Sequence, residues 1–435
     1  MRISTNTLYE TGIAGILERQ QTQLKLQQQL SSGRRILTPA DDPIAAASVL
    51  EVTQAKGINE QYQVNIGNAR TSLLQEEQAL GDITRLLQDV KTLAVNAGNA
   101  VLHDDDRESL ADDLQGQYKE LLGIANRTDG NGQYLFSGYR GGTQPFSETA
   151  PGVVAYNGDE GQRLIQIAAS RRIAVSDSGS AVFQAIDEGN GRFTAAAGGG
   201  NTGAGIISPG NVTDPLAWNT AGNPRDFSIK FHVDSGVTPP VTTYDIVDNV
   251  NNVSLLTGAA PAAGPYLRPY VAGAAIRLET VAPPDTNGTP FDFGAEVAIT
   301  GAPADGDTFA VQAAATRDVF STINDLIAVL RTGQSGGSAS VAAYQNGLNT
   351  AMTNIDNALN NVLTVRASTG IRLRELDAAE GSAADIGLNH EANLSRLQDL
   401  DYARAISELT REQSYLEAAQ KSYLQITSLR LFDFM

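Results

Sequence analysis

The sequence predicts an α+β protein: a long antiparallel helical bundle or coiled coil built from both chain ends, with an inserted β-rich region of one or two domains. Three observations predict it. Apolar residues in both flanks recur at alternating steps of four and three, the seam of packed helices. All prolines except Pro39 and Pro43 lie between Pro145 and Pro303, so long helices fit only the flanks. The middle is rich in glycine, proline, alanine and threonine, with short β-like runs.

The composition excludes several classes of function. Acidic residues outnumber basic ones by 49 to 31, and the net charge of -18 repels nucleic acid phosphates and anionic lipid. We therefore expect no nucleic acid partner and no membrane partner. The absence of cysteine excludes disulfides, zinc-thiolate sites and thiol nucleophiles, and it suits a protein that crosses between redox compartments unfolded. Residues 1–19 lack the features of a secretory signal, so export would need another route.

The first predicted helix has few apolar residues in a glutamine-rich background: Ile13, Ile16, Leu17, Leu24, Leu26 and Leu30. Such a helix buries too little surface to be stable alone. We expect it to gain order when neighbouring subunits cover it.

An unusual segment, which we call the elbow (residues 31–43), follows this helix. Its informative residues are Ser31, Ser32, Gly33, Arg34, Arg35, Ile36, Pro39, Asp41, Asp42 and Pro43. Gly33 can adopt the left-handed conformation that ends a helix, and Asp41 or Asp42 can cap the next helix with Pro43 in its first turn. Two interpretations stay open: a plain joint between helices, or an ordered structure whose Arg34 and Arg35 bind acidic groups, in the elbow or on a neighbouring subunit.

Two antiparallel helices are predicted next. The seam of the longer one starts at Tyr62 and contains one charged residue, Glu76, among Ile66, Ala69, Leu73, Leu80, Ile83, Leu87, Val90, Ala94 and Ala97. Asp104, Asp105 and Asp106 should cap the second helix, which folds back on the first. Its seam consists of Ala111, Leu114, Tyr118, Leu121 and Ala125.

The C-terminal flank repeats this pattern. One seam contains Tyr344, Leu348, Ala351, Ile355, Ala358, Val362, Val365 and Thr369. A later one contains Tyr402, Ala405, Leu409, Glu412, Leu416, Ala419, Tyr423 and Ile426. Because stripes from both flanks must be covered, the economical arrangement is one bundle made from both ends of the chain.

The β-rich insertion lies between about residues 136 and 315. Strands are predicted at 163–167, 227–233, 244–247 and 309–312. Residues 195–205, which include the glycine triplet 198–200, are expected to form a flexible loop at the boundary between two β subdomains.

At 435 residues the chain is long enough for roughly three domains. We expect four structural parts: a terminal coiled-coil layer (1–45 and 395–435), a helical bundle layer (46–135 and 316–394), a β-rich domain (136–190 and 300–315) and an outer β-rich domain (191–299).

No pattern of residues indicates an enzyme. His103, His232 and His390 lack partners at metal-ligand spacing and are expected at the surface. The glycine triplet lacks the lysine and Ser/Thr of a phosphate loop. Residues 104–106 fit helix caps better than a cation site, and residues 285–289 fit a turn better than half a calcium loop. We expect no catalytic residue, no cofactor and no metal.

The elbow resembles the hallmark of the flagellin superfamily, in which a Ser-Ser-Gly-x-Arg-Ile run precedes paired aspartates. Asp41-Asp42-Pro43, with Pro39 before it, is similar to the hook-filament junction branch, whereas filament flagellins typically continue with alanine and glycine. The segments 1–6, 132–139, 156–159, 306–309 and 428–434 carry the same resemblance. It covers about residues 1–190 and 300–435.

The resemblance implies a non-enzymatic subunit of the bacterial flagellum, secreted unfolded through the flagellar type III export channel. Such a subunit forms the junction between hook and filament and templates flagellin polymerisation. The implied partners are further copies of the chain in a ring, the other hook-associated protein on the hook side, flagellin on the filament side and an export chaperone.

The terminal helices are expected to contact these partners, because the C-terminal end has more large apolar residues than a solvated tail would carry. The expected assembly and chaperone interface consists of Leu409, Leu416, Tyr423, Ile426, Leu429, Leu431, Phe432 and Phe434, together with Ile13, Leu17 and Leu24. Two alternatives stay open: a filament flagellin, and a surface adhesin or binding module on a coiled-coil stalk, with residues 191–300 as its recognition domain.

Overall fold

The computed structural model describes residues 5–262, 264–334 and 336–432, without the side chains of residues 5, 6, 8 and 426–432. These residues form two compact units. One comprises the described part of Met1–Asn68, Gln166–Arg171 and Leu376–Met435, and the other that of Ala69–Ile165 and Arg172–Glu375. Helices come from both flanks and strands from the middle of the chain, which confirms the predicted α+β class.

Among the described residues, the strands and two short helices lie in the middle of the chain, between the longer helices of the two flanks. The helices are α1 (Thr5–Ser32), α2 (Pro43–Ala97), α3 (Asp104–Ala125), α4 (Gly179–Phe183), α5 (Pro215–Trp218), α6 (Val319–Arg331), α7 (Ser338–Gln398) and α8 (Tyr402–Phe432). The strands are β1 (Phe146–Ala150), β2 (Val153–Tyr156), β3 (Leu164–Ala168), β4 (Arg171–Ala174), β5 (Ile186–Asp187), β6 (Phe193–Ala197), β7 (Ile206–Ile207), β8 (Asn211–Val212), β9 (Asp226–Asp234), β10 (Val241–Asp248), β11 (Val253–Ser254), β12 (Arg268–Pro269), β13 (Ala275–Glu279), β14 (Asp292–Thr300), β15 (Thr308–Ala313) and β16 (Thr316–Arg317).

The predicted seams of α2, α3 and α7 are confirmed, whereas Tyr402, the first residue of the seam predicted in α8, is 52% exposed. In α2, every seam residue from Ile66 to Ala97 is buried, including the charged Glu76. The seam of α3 is buried throughout, and so is that of α7 except for the partly buried Val365. The four-three spacing places these side chains on one side of each helix, so that neighbouring elements can cover them together.

Helix α3 packs antiparallel to α2, as predicted. Arg127, just after α3, forms an ion pair of 2.7 Å with Asp82 in α2. Gln75, further back along α2, donates a hydrogen bond to the carbonyl oxygen of Asp129. The N-cap of α3 is His103 rather than an aspartate, and the carboxylate of Asp106 in the first turn accepts its backbone N–H at 2.9 Å.

A first hydrophobic core joins α2, α3, α6 and α7 with α4 and the β1–β2 hairpin. Aromatic rings fill its centre. The ring centroids of Phe146 and Phe183 are 5.1 Å apart, and those of Phe183 and Phe320 are 5.7 Å apart. This core fixes the helical bundle onto the first part of the β-rich region.

A second hydrophobic core lies between two antiparallel sheets. One sheet has the order β11-β10-β9-β15-β6 with β12 beside β10, and the other has the order β13-β14-β7 with β8 beside β14. Alternate residues of β9, such as Phe227, Ile229 and Phe231, point inward and are buried with Trp218. Separate two-stranded sheets are β1-β2, β3-β4 and β5-β16.

The predicted strands fall inside β9, β10 and β15, and the run 163–167 corresponds to β3 with a start one residue later. The prediction for residues 195–205 is wrong in part, because Ala195, Ala196 and Ala197 pair with β15 as the end of β6. Further along this segment, the carboxylate of Asp307 accepts the backbone N–H groups of Thr202 and Gly203. Small residues therefore form an edge strand and a fastened loop here rather than a linker.

A row of asparagines on α7, Asn346, Asn354, Asn357 and Asn361, binds the backbone of the β-rich region. The partners are, in order, Ile207 N–H and Gly205 O; Gly189 N–H; Asp187 O and Gly189 O; and Ala181 O and Val182 O. We call these four residues the asparagine row. Their amides bind backbone groups in β5, β7, α4 and the adjoining loops, so the asparagine row attaches α7 to the β-rich region.

Candidate assembly site at the terminal helices

The elbow begins where α1 ends. Gly33 has a φ of +69°, and its N–H donates to the carbonyl oxygen of Gln29 at 2.8 Å, which is the left-handed helix end predicted for it. The side chains of Ser31 and Ser32 donate back to carbonyl oxygens of the last turn. At the other end, Asp42 accepts the N–H of Ala45 at 3.0 Å, so Asp42 rather than Asp41 caps α2, which starts at Pro43.

Asp41 instead holds the elbow together from within. One carboxylate oxygen accepts the N–H groups of Leu37 and Thr38, at 3.0 and 2.8 Å, and the other lies 2.6 Å from the ammonium of Lys25. The bond from Lys25, helped by these backbone N–H groups, holds the pKa of Asp41 well below its usual range. The second aspartate of the pair therefore starts a helix, whereas the first folds the turn.

The elbow pairs with a second turn, between α7 and α8, that sequence reasoning missed. Arg34 and Asp399 form an isolated antiparallel bridge. On either side of it, the N–H of Arg35 donates to the carbonyl oxygen of Gln398 at 2.7 Å, and that of Leu400 to the carbonyl oxygen of Gly33 at 3.0 Å. Backbone hydrogen bonds thus join the N-terminal and C-terminal flanks where the elbow meets the turn between α7 and α8. Only Asp401, an N-cap before α8, could have indicated this turn in the sequence.

The two arginines of the elbow differ in their partners. The guanidinium of Arg35 donates to the carbonyl oxygen of Leu397 at 2.9 Å and lies 3.9 Å from the carboxylate of Asp42. Arg34 is exposed, and its guanidinium forms no ion pair within the described part of the chain. Arg35 therefore has partners in the elbow and in the turn beside it, whereas the Arg34 guanidinium has no acidic partner among the described residues.

Helices α1 and α8 run antiparallel as a pair. The Tyr9 and Tyr423 rings meet edge to face at 6.1 Å near one end, and Arg19 forms a 3.0 Å ion pair with Glu412 in the middle. The guanidinium of Arg19 also lies 5.1 Å from the ring centroid of Tyr415. Glu412, the charged residue in the seam of α8, therefore has an ion-pair partner in Arg19, which the sequence analysis did not predict.

The predicted interface residues divide between two faces of this pair. Leu409, Leu416 and Tyr423 are partly buried on the side of α8 that carries Glu412 and Ala419. By contrast, Ile13, Leu17 and Leu24 of α1 are 46, 52 and 58% exposed. On α8, Ile406 and Leu424 are also more than half exposed. The side chains of Ile426, Leu429, Leu431 and Phe432, and the whole of Phe434, lie outside the described residues.

Two other segments that carried the resemblance contain aspartates that fasten loops. Asp159 accepts the N–H groups of Tyr139 and Gly161, at 2.9 and 2.8 Å, which lowers its pKa. An ideal β-carbon at Gly138, which has a φ of +69°, would lie 2.3 Å from this carboxylate. Asp307, from the segment 306–309, fastens the loop after β6 in the same manner. These motifs explain local folding and not chemistry.

The described residues place the remaining candidates in structural roles. His232, which was expected at the surface, is 23% exposed, and its Nδ1 lies 2.8 Å from Asp305. Asp285 forms an ion pair with the guanidinium of Arg268. No group of three or more His, Cys, Asp or Glu side chains suited to a metal occurs in the described ranges. Among those residues, no helix combines the length and hydropathy needed to cross a bilayer.

Comparisons with known proteins agree with this architecture. Residues 3–140 match the model of the bacterial flagellin N-terminal helical region. The chain is 26% identical to flagellar hook-associated protein 3 of Salmonella typhimurium over 433 residues, covering 100% of this chain and 99% of that protein. A crystal structure of flagellar hook associated protein-3 from Legionella pneumophila superimposes with a TM-score of 0.68 at 30% identity, covering 80% of this chain and 98% of that one. A second Legionella pneumophila structure, described as the flagellar junction protein FlgL, has a TM-score of 0.66 at 29% identity. The match covers 81% of this chain and 100% of that one.

Proposed function

Because the chain belongs to the family of flagellar hook-associated protein 3, we propose that it is a structural subunit of the bacterial flagellum that forms the junction between hook and filament. The full-length match to that protein, including the outer β-rich residues, favours this function over a filament flagellin or an adhesin. The subunit is non-enzymatic and lies outside the cell as part of the flagellum.

One observation carries the proposed assembly mechanism: the α1–α8 pair is apolar on two faces. The inner face is partly covered within the chain through Leu409, Leu416 and Tyr423. The outer stripe of Ile13 and Leu17, one helical turn apart, and Leu24, two turns further on, stays exposed. Although Gln20 and Gln21 interrupt this stripe, exposed large apolar residues on one side of a helix are the kind of surface that another helix covers.

We propose that terminal helices of neighbouring copies cover the outer stripe in a ring of subunits. The other hook-associated protein contacts the ring on its hook side. Flagellin contacts the ring on its filament side, so that the ring templates flagellin polymerisation. Before export through the type III channel, a chaperone covers the C-terminal helix.

The test replaces the outer stripe and leaves the inner face intact. A triple variant, Ile13→Ser, Leu17→Ser and Leu24→Ser, is expressed in a strain that lacks the chromosomal gene. Because each side chain is about half exposed, we expect an unchanged fold by circular dichroism. Electron microscopy should show hooks without filaments, with flagellin shed into the medium.

A matched control changes three exposed apolar residues of the β-rich region: Leu216→Ser, Val250→Ser and Val271→Ser. This variant should restore filaments. Normal filaments with the α1 triple variant, at normal expression, would refute the assembly mechanism, and filaments in the strain lacking the gene would refute the junction function itself.

A further inference from the structure

Glu76 is a buried carboxyl group in the apolar seam of α2, between Leu73 and Leu80. One of its oxygens, Oε1, accepts the backbone N–H of Asp177 at 2.7 Å. The other, Oε2, is buried without a hydrogen-bond partner within the described part of the chain. Burying an ionised carboxylate with one oxygen that has no hydrogen-bond partner costs much free energy. Burying the neutral carboxylic acid in the same position costs less.

Charged groups face Glu76 from three other segments. Asp177, between β4 and α4, is itself buried. Arg372 of α7 forms an ion pair with the carboxylate of Asp177, and Gln162 donates to the same carboxylate at 2.8 Å. Arg163, directly before β3, adds a more distant positive charge. Asp177 thus holds the nearest cation, and an ionised Glu76 would add a second negative charge beside it.

This environment favours the protonated form of Glu76. Burial is the largest cause and the negative charge of Asp177 the second, and together they raise the pKa of Glu76 from 4.5 to about 7. The N–H of Asp177 and the two arginines act in the opposite direction without reversing the shift.

We propose that Glu76 is a proton-binding site that makes the packing of α2, α7 and the segment around Asp177 sensitive to pH near neutrality. With the proton bound, the seam of α2 is neutral and closed. When the proton leaves, two carboxylates share one buried region with Arg372, and the segment that leads into α4 loosens.

The sign of the effect follows from linkage. The folded-state pKa is raised, so the stabilisation is complete below the ordinary pKa of 4.5 and is lost as pH rises through about 7. Between pH 4.5 and about 7, the folding equilibrium constant of the compact unit that contains Glu76 falls by up to about tenfold for each step of one in pH. Above this range the loss is constant.

The direct test titrates the full-length protein with ¹³C-labelled glutamate carboxyl groups by NMR. One glutamate signal should titrate with a midpoint near 7, and it should be missing in Glu76→Gln. Exchange of the Asp177 amide proton should quicken as pH rises through this midpoint, beyond the intrinsic dependence of exchange on pH, and this additional change should be absent in Glu76→Gln.

The matched control is Glu77→Gln. Glu77 follows Glu76 in α2, and its partly exposed carboxylate forms an ion pair with Arg366 of α7. This variant should retain the signal near 7. If no glutamate of the wild-type protein titrates above about pH 5.5, or if the signal persists in Glu76→Gln, the proposal is overturned. The titration of the wild-type protein decides this even if the variant folds poorly.

Discussion

The hydroxyl of Tyr402 at the start of α8 occupies the space that a β-carbon at Gly33 would need. An ideal β-carbon at Gly33 would lie 2.7 Å from that oxygen, and the backbone there has a φ of +69°. The left-handed backbone is the stronger requirement for glycine at residue 33, because the Tyr402 hydroxyl is the far end of an exposed side chain that can move aside.

We predict that Gly33→Ala destabilises the unit that contains α1 and α8 by about 1–2 kcal/mol through the left-handed backbone alone, with a further loss from the contact with Tyr402. Urea denaturation followed by circular dichroism measures the loss. Adding Tyr402→Ala should recover only the part due to the contact. In the control Gly15→Ala, the new β-carbon meets open space inside α1, so stability should rise by about 0.5–1 kcal/mol. Equal effects of the two alanines would contradict the prediction.

Asp41→Asn should loosen the elbow, because a neutral amide loses the ion pair with Lys25 and accepts the N–H groups of Leu37 and Thr38 less strongly. Faster hydrogen exchange of these two amides is the expected result. The lowered pKa gives the pH dependence its sign: the contribution of Asp41 is present above its unfolded pKa of about 3.9 and is lost only as pH falls below it.

The control for this variant is Asp42→Asn, since asparagine is as good an N-cap as aspartate. Exchange at Leu37 and Thr38 should then stay close to that of the wild-type protein. Slow exchange of both amides in Asp41→Asn would show that Asp41 does not hold the elbow.

Arg268 and Asp285 form an ion pair inside the β-rich region, with side chains 5 and 0% exposed and N–O distances of 2.6 and 2.9 Å. Arg268→Met should cost about 3–5 kcal/mol, because it leaves the carboxylate of Asp285 buried and unpaired. The double variant Arg268→Met, Asp285→Leu should recover at least half of that loss in urea denaturation. A double variant less stable than the single one would contradict this.

Asn361→Asp should weaken the attachment of α4 to α7. The Nδ2 group of Asn361 donates to the carbonyl oxygens of Ala181 and Val182 at 2.9 and 3.0 Å, and a carboxylate would face these oxygens without a proton to donate. We expect a loss of about 1–3 kcal/mol in thermal or urea unfolding. Asn360→Asp, at the exposed neighbouring position, should change stability little, and similar losses in both variants would exclude a specific role for the asparagine row.

Much of the helical part of the fold could be predicted from the sequence because its pattern is local. The seams of α2, α3 and α7, the end of α1 at Gly33 and the start of α2 at Pro43 follow from spacing and from residues with restricted backbone conformations. The strands β9, β10 and β15 were also found, since alternation of apolar residues marks a half-buried strand. Residues 195–205 were misjudged because three alanines have little side chain with which to indicate an edge strand.

The candidate site could be predicted only in part. The elbow was found from its motif, but its pairing with Asp399 and Leu400 joins positions more than three hundred residues apart, and no local pattern encodes such a contact. The apolar residues of the terminal helices were found as one set, and the structure divides them into an inner face and an exposed stripe. That division depends on which side of α1 faces α8.

The sequence by itself determined which segments form helices and strands, the ends of α1 and α2, and the apolar stripes that demand a partner, because each depends on residues within one or two helical turns. Only the tertiary structure decided which partner each polar group found. Glu76 interrupts an apolar seam in the sequence, and only the fold places Asp177 and Arg372 beside it. Likewise, only the fold brings the asparagine row to backbone groups of the β-rich region. The physical reason is that hydrogen bonds and ion pairs act over a few ångströms, between groups that the chain brings together only when its cores have formed.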